Sequence, residues 1–195
     1  MARYLVRLAN DTGYTPQQTR KTAQQIRELL GFKETIGHLR ISSRAIEFDL
    51  FAGDEEELAL RRRKLEEKVA KLLTLKRLDL PPVQRGKLEV LREGIGLFNE
   101  ERFWECHEVL EQIWHPAKGT ERSIIQGLIL TAAALMHHQK GEDDVCLSML
   151  KKAHGKLGSH NAYEGVDLQG VREEIESMLE SDTPRPFSVH DATPQ

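Results

Sequence analysis

His107, Glu108, Glu111 and His137 are the residues of this chain best suited to move a proton or hold an ion, and Trp104 and Trp114 stand on either side of the first three. On a helix, residues four apart lie one above the other, so His107 and Glu111 can face a common partner. Imidazole titrates near neutrality, and a carboxylate buried beside it can be shifted into the same range, which suits acid/base work. The spacing is not a standard metal motif. H-E-x-x-E lacks the second histidine of the zinc hydrolases. Glu-x-x-His is absent too, because Trp104 precedes His107 by three residues and Phe103 follows Glu100 by three.

Three uses stay open for this group. The four residues could form an interhelical hydrogen-bond network that fixes helix register, since buried polar groups must be paired. This is the preferred reading, and it makes the chain a non-catalytic structural, interaction or small-ligand-binding protein. The alternative is a metal-dependent or acid/base enzyme, hydrolase-like, using His107, Glu108, Glu111 and His137, with His137 reaching across as a third ligand if a metal is held. The residues name no cofactor. No nucleophile elbow or phosphate-cradling glycine loop is present, and Gly94-x-Gly96 falls inside a predicted helix.

Two helices must position these groups. In Phe98–Trp114, turning the chain by about 100° per residue places Phe103, Cys106, Val109, Leu110 and Ile113 on one apolar arc. His107 and Trp114 fall at its edge, while Trp104, Glu108 and Glu111 continue round to the far side. In Gln126–His138, together with Ile124 and Ile125 before it, Leu128, Ala132 and Leu135 complete the core side, while Gln126, Ala133 and His137 lie opposite. Gly127 and Ala132–Ala134 are small enough to let another helix come close.

The ordered set Phe103, Cys106, His107, Glu108, Glu111, Trp114, then Gly127, Leu128, Ile129, Ala132, Ala133, Ala134, His137 and Gly141 resembles the signature of the domain-of-unknown-function family numbered 309. The resemblance covers residues 84–179. It implies a compact all-helical domain and brings no activity with it. Cys106 stands where that signature usually has alanine, and Gln126 precedes Gly-Leu-Ile rather than following it.

The remaining pattern predicts an α+β chain. Alternation marks strands at Arg3–Leu8, His38–Ser42 and Arg44–Phe51, with a weaker one at Thr74–Leu80. Thr15-Pro16-Gln17-Gln18 and Asp54 with Glu57 read as helix starts, the second helix burying Leu58, Leu65, Val69 and Leu72. The order β-α-β-β-α-β predicts a ferredoxin-like sandwich in residues 1–80, with both helices on one face. Its other face would carry Arg3, Leu5, Arg7, Ala45, Glu47 and Asp49, uncovered. Acids there argue against base stacking on the sheet, so no nucleic acid is expected. The run Arg61–Lys64 reads as a solvated helix face. Packing or homodimerisation is the expected role of this domain.

An all-helical bundle is predicted for residues 84–181. Its first helix spans Val83–Phe98, Asn99 caps the second, Thr120 caps the third, which runs to Gly141, and Asp167 caps the fifth. Between them a fourth carries Cys146, Met149, Leu150, Ala153 and Leu157. Residues 182–195 are expected to be extended or disordered.

Charge divides along the same line: 16 basic against 12 acidic residues in 1–80, 12 against 19 in 81–195. Asp79, Leu80, Pro81 and Pro82 lie between the two parts. The longest apolar run, Ile124–Met136, is shorter than the roughly 18 residues of a membrane span and contains Gln126 and Thr131. No signal-peptide core precedes Arg7, and Cys106 and Cys146 lack disulfide or CxxC spacing. These features predict a cytoplasmic protein, with no membrane contact.

Overall fold

The computed structural model describes residues 1–31, 35–79 and 85–192. Leu80, Pro81, Pro82 and Val83, expected to end a strand, join the domains and open a helix, lie outside them. The chain is α+β, with a four-stranded antiparallel sheet towards its start and helices after it. It divides into two compact units, residues 1–83 with 139–141, and residues 84–138 with 142–195.

In the first unit β1 (Ala2–Ala9), α1 (Thr19–Leu30), β2 (Ile36–Ile41), β3 (Ala45–Ala52), α2 (Glu55–Lys68) and β4 (Leu72–Arg77) follow in order, and the sheet runs β2-β3-β1-β4. Period-two alternation sets the register: Val6 pairs with Phe48 and Leu8 with Ile46, and all four enter one core with Ala23, Ile26 and Leu30 of α1. Gln18 accepts the Thr15 backbone N–H at 2.8 Å ahead of α1, and Gly31 ends it at φ 92°, a conformation glycine adopts without strain. Asp54 caps α2 by accepting the Glu57 N–H at 2.8 Å.

Several expectations are corrected here. The sheet face opposite the core is not open: Leu5 and Asp49 are fully buried and Glu47 is nearly so. Its acids are held by cross-strand arginines. Arg7 Nε donates to Glu47 at 2.7 Å, and the Arg3 guanidinium donates twice to Asp49. Leu72 opens β4 rather than closing α2, because the backbone N–H groups of Val69 and Ala70 both turn back to Leu65. Arg61 is buried, donating to the Phe51 carbonyl and to Glu57, so it is not part of a solvated run.

Gln139 and Gly141 also belong to this unit. The Gln139 carbonyl accepts from the Ile41 N–H at 2.8 Å and from Thr19 Oγ1 at 3.2 Å. Gly141 sits at φ 73°, and a Cβ there would fall 2.7 Å from the Pro16 carbonyl oxygen. Both observations demand glycine.

The second unit contains α3 (Lys87–Asn99), α4 (Phe103–Trp114), α5 (Gly119–His138), α6 (Asp143–Leu157), a short hairpin of β5 (Ala162–Tyr163) and β6 (Val166–Asp167), and α7 (Leu168–Ser181). Successive helices pack on one another around a single apolar cluster. Close approach depends on glycine at two crossings: a Cβ on Gly94 would overlap Leu110, and one on Gly127 would overlap Leu157. Asp167 caps α7 through the Gly170 N–H at 3.0 Å.

Asn99 does not cap α4. It is the last residue of α3, and its side-chain amide bonds both ways to the Val189 backbone, at 2.9 and 2.8 Å. Thr120 lies inside α5, whose first residue is Gly119, and α5 stops at His138 rather than at Gly141. Residues 183–192 form an extended arm pinned along this unit. Val189 is buried, Phe187 meets Phe98 edge-on at 5.1 Å, and the backbone is tied at Asp167–His190 and Gly165–Ala192. No helix among the described residues is long and apolar enough to cross a membrane.

Candidate functional site

α4 is held at both ends and along one face, and this is what positions its polar side. Phe103, Cys106, Val109, Leu110 and Ile113 are buried as their spacing requires. At the start, Arg102 clasps the buried Glu105 with two hydrogen bonds, Nε to Oε1 at 2.8 Å and Nη2 to Oε2 at 3.0 Å. Burial works against the Arg102 charge, but Glu105 and Glu100 outweigh it and hold the guanidinium above its ordinary value. At the far end, Arg122 lies 4.0 Å over the Trp114 ring and donates to the carbonyls of Trp114, His115 and Ala117. The Ala117 N–H reaches the Trp114 carbonyl at 3.2 Å, and Arg122 adds a side-chain donor to all three carbonyls, serving as a C-terminal cap. Trp114 thus packs against the core and under Arg122.

His107, Glu108 and Glu111 occupy the other face. Their ligand atoms lie within 4.8 Å of one another, and they form the one such histidine–carboxylate group among the described residues. Nδ1 of His107 is 3.3 Å from Glu108 Oε1, and Nε2 is 3.7 Å from Glu111 Oε1. The side chains are 28%, 49% and 38% exposed in that order, open enough for a ligand to reach them. Glu108, more than offsetting partial burial, raises His107 above the ordinary imidazole value, and Glu111 adds to the shift. Trp104, one turn before Glu108, is half-buried.

The histidine expected from the neighbouring helix is elsewhere. His137 Nδ1 meets Glu142 at 2.5 Å, and His138 Nδ1 meets Asp143 at 2.6 Å. His137 is outside the 4.8 Å group. Gln126, on the same predicted face, is half-buried.

Two groups escaped the sequence reading. Glu105 and Arg102 could have been found as an i, i+3 pair of opposite charge at a helix start, but nothing in the spacing announces that Glu105 is buried. The second is Lys87, whose Nζ bridges Glu121 at 2.9 Å and Glu164 at 2.7 Å, while Tyr163 donates to Glu121 at 2.8 Å. Burial and then Glu121 push the Tyr163 phenol up to about 12. Its members lie up to 77 residues apart, beyond any local signal. Burial disfavours both thiolates: it raises Cys106, and with Asp143 it pushes Cys146 up to about 12.

A family model described as a domain of unknown function (DUF309) matches residues 91–149, a span that holds all of α4 and α5. Residues 91–149 are identified as a DUF309 match. An uncharacterised protein of Aquifex aeolicus is 28% identical over 93 residues, 47% of this chain and 28% of that protein. The match therefore spans little more than a quarter of that relative's length. A conserved hypothetical protein from Thermus thermophilus, known as a crystal structure, shares 37% identity over 46% of this chain and 94% of its own, with a TM-score of 0.41. Within the DUF309 span the structure sorts the residues by what they do. Gly127 permits the α5–α6 contact, Trp114 meets Arg122, and His107, Glu108 and Glu111 stand together on the accessible side of α4.

Proposed function

We propose that this chain is a non-catalytic binding protein whose working surface is the His107–Glu108–Glu111 face of α4. One observation carries the reading: a histidine with a carboxylate beside each ring nitrogen sits part-exposed on a helix whose other face and both ends are locked. Preorganised polar groups on a rigid element are what a binding site requires. Trp104 extends the same face. The polar contacts of His107 lie within its own helix and those of His137 at its own helix end, which favours a ligand over an interhelical register lock.

The first unit we assign as a ferredoxin-like sandwich, an assignment supported by the β2-β3-β1-β4 order and its antiparallel pairings. We further propose that it serves packing or homodimerisation. The free thiols of Cys106 and Cys146, both buried, support a cytoplasmic setting.

The test is a thermal-shift screen of metal ions and metabolite-sized organic molecules, run on the wild type, His107→Ala and Glu111→Gln. A ligand at about a hundred times its Kd stabilises a protein by about 2.7 kcal/mol, a shift the screen resolves. At least one ligand is expected to raise the wild-type Tm and to lose that effect in both variants. Identical shifts in all three proteins would place binding elsewhere and defeat the proposal. The second reading, acid/base catalysis, is favoured by the carboxylate-raised His107. Turnover of an ester or amide panel that disappears in His107→Ala would select it instead.

A further inference from the structure

The ligand of the α4 face can be named by its chemistry, an inference that rests on the binding reading above. We propose that Nε2 of His107 and the Glu111 carboxylate hold a divalent transition-metal ion, with Glu108 orienting the imidazole from its other nitrogen.

The two ring nitrogens are divided between two carboxylates, Nδ1 towards Glu108 and Nε2 towards Glu111. Metal-binding histidines show this division, one nitrogen on the ion and the other N–H given to a carboxylate that fixes the tautomer. The distances assign the roles. Nδ1 stands 3.3 Å from Glu108 Oε1, at the edge of the about 2.7–3.2 Å hydrogen-bond range, whereas the 3.7 Å gap from Nε2 to Glu111 Oε1 lies well beyond it. Two ligand atoms each about 2.0–2.2 Å from one ion in tetrahedral geometry stand about 3.3–3.6 Å apart. A small side-chain adjustment closes the difference.

The other histidine–carboxylate pairs of this unit make the contrast. His137–Glu142, His138–Asp143 and His154–Glu176 are closed at 2.5, 2.6 and 2.7 Å, so an ion would have to break a formed hydrogen bond. Only at His107–Glu111, among these pairs, is the space already there. An imidazole with carboxylates suits zinc, manganese or iron, whereas calcium and magnesium prefer oxygen alone. Part exposure of both ligands leaves the remaining positions to water or to a bound molecule.

The full-length chain, stripped with chelator, is titrated with Zn2+ by calorimetry and with Co2+ by visible absorption, and His107 is followed by imidazole 15N NMR. One ion per chain is expected, with the Zn2+-induced shift at Nε2 and the proton kept at Nδ1. His107→Ala and Glu111→Gln should each weaken binding at least about tenfold, and Glu108→Gln about tenfold or more through lost orientation. His154→Ala should bind as the wild type does. Circular dichroism checks that each variant folds, and the wild-type NMR result stands without any variant. Zn2+ binding unchanged in His107→Ala and Glu111→Gln, or a His107 ring that Zn2+ leaves unshifted, overturns the metal. If an organic ligand from the screen still depends on His107, the binding face survives that failure. If no ligand of either class does, both proposals fall.

Discussion

Gly127→Ala should destabilise the helical unit, although alanine is the better helix former. In an open helix the exchange would gain about 1 kcal/mol. Here an added Cβ lies 2.7 Å from both Cγ and Cδ2 of Leu157 and 3.1 Å from its backbone nitrogen. Carbon atoms rest about 3.5–4.0 Å apart, so the overlap is about 1 Å. Leu157 is fully buried, and no rotamer moves its backbone nitrogen. The helices must separate instead, at the roughly 1–3 kcal/mol typical of overpacking, and more for an overlap this deep. The expected net loss is about 1–2 kcal/mol. Both tryptophans, Trp104 and Trp114, lie in this unit, so urea unfolding followed by tryptophan fluorescence reads it directly. Leu157→Ala alone should lose about 2–5 kcal/mol, and the double variant should fall short of the sum by about 1 kcal/mol or more, because the new methyl fills vacated space. A Gly127→Ala protein as stable as the wild type, or strict additivity in the cycle, would refute the close-contact argument.

Two further outcomes are expected. Asn99→Ala removes both hydrogen bonds that pin Val189, so amide exchange along residues 183–192 should quicken about tenfold or more while the global unfolding midpoint moves far less; equal exchange in both proteins would contradict the pin. In chelator-treated protein, His107 should titrate above 6.5, with Glu108→Gln bringing the midpoint down. Because the folded value is the raised one, its contribution to stability is complete below the unfolded pKa and fades as pH rises through the folded one. An NMR midpoint at or below 6.5 would count against the Glu108 pairing.

Local patterns determined much of this chain unaided. Alternation fixed which residues of β1 and β3 face α1, since period two leaves one register that buries Val6, Leu8, Ile46, Phe48 and Leu50 together. The apolar arc of α4 was equally plain, and helix pitch brings Glu111 beside both His107 at i, i+4 and Glu108 at i, i+3. Partners from distant segments decided the rest. Asn99 has the composition of a helix cap, yet it holds a backbone ninety residues away. His137 shares a predicted face with Gln126 but is claimed by Glu142 beyond the helix end. Alternation places charged residues on a second, uncovered face of the sheet, whereas Asp49 and Glu47 are buried there and neutralised across the strands by Arg3 and Arg7. Spacing makes Trp114 the flank of a site, whereas in the fold Arg122 stacks on it and caps its helix. A residue's type and period constrain its face; what meets that face is a tertiary fact, because the energies that select it come from groups the local sequence does not contain.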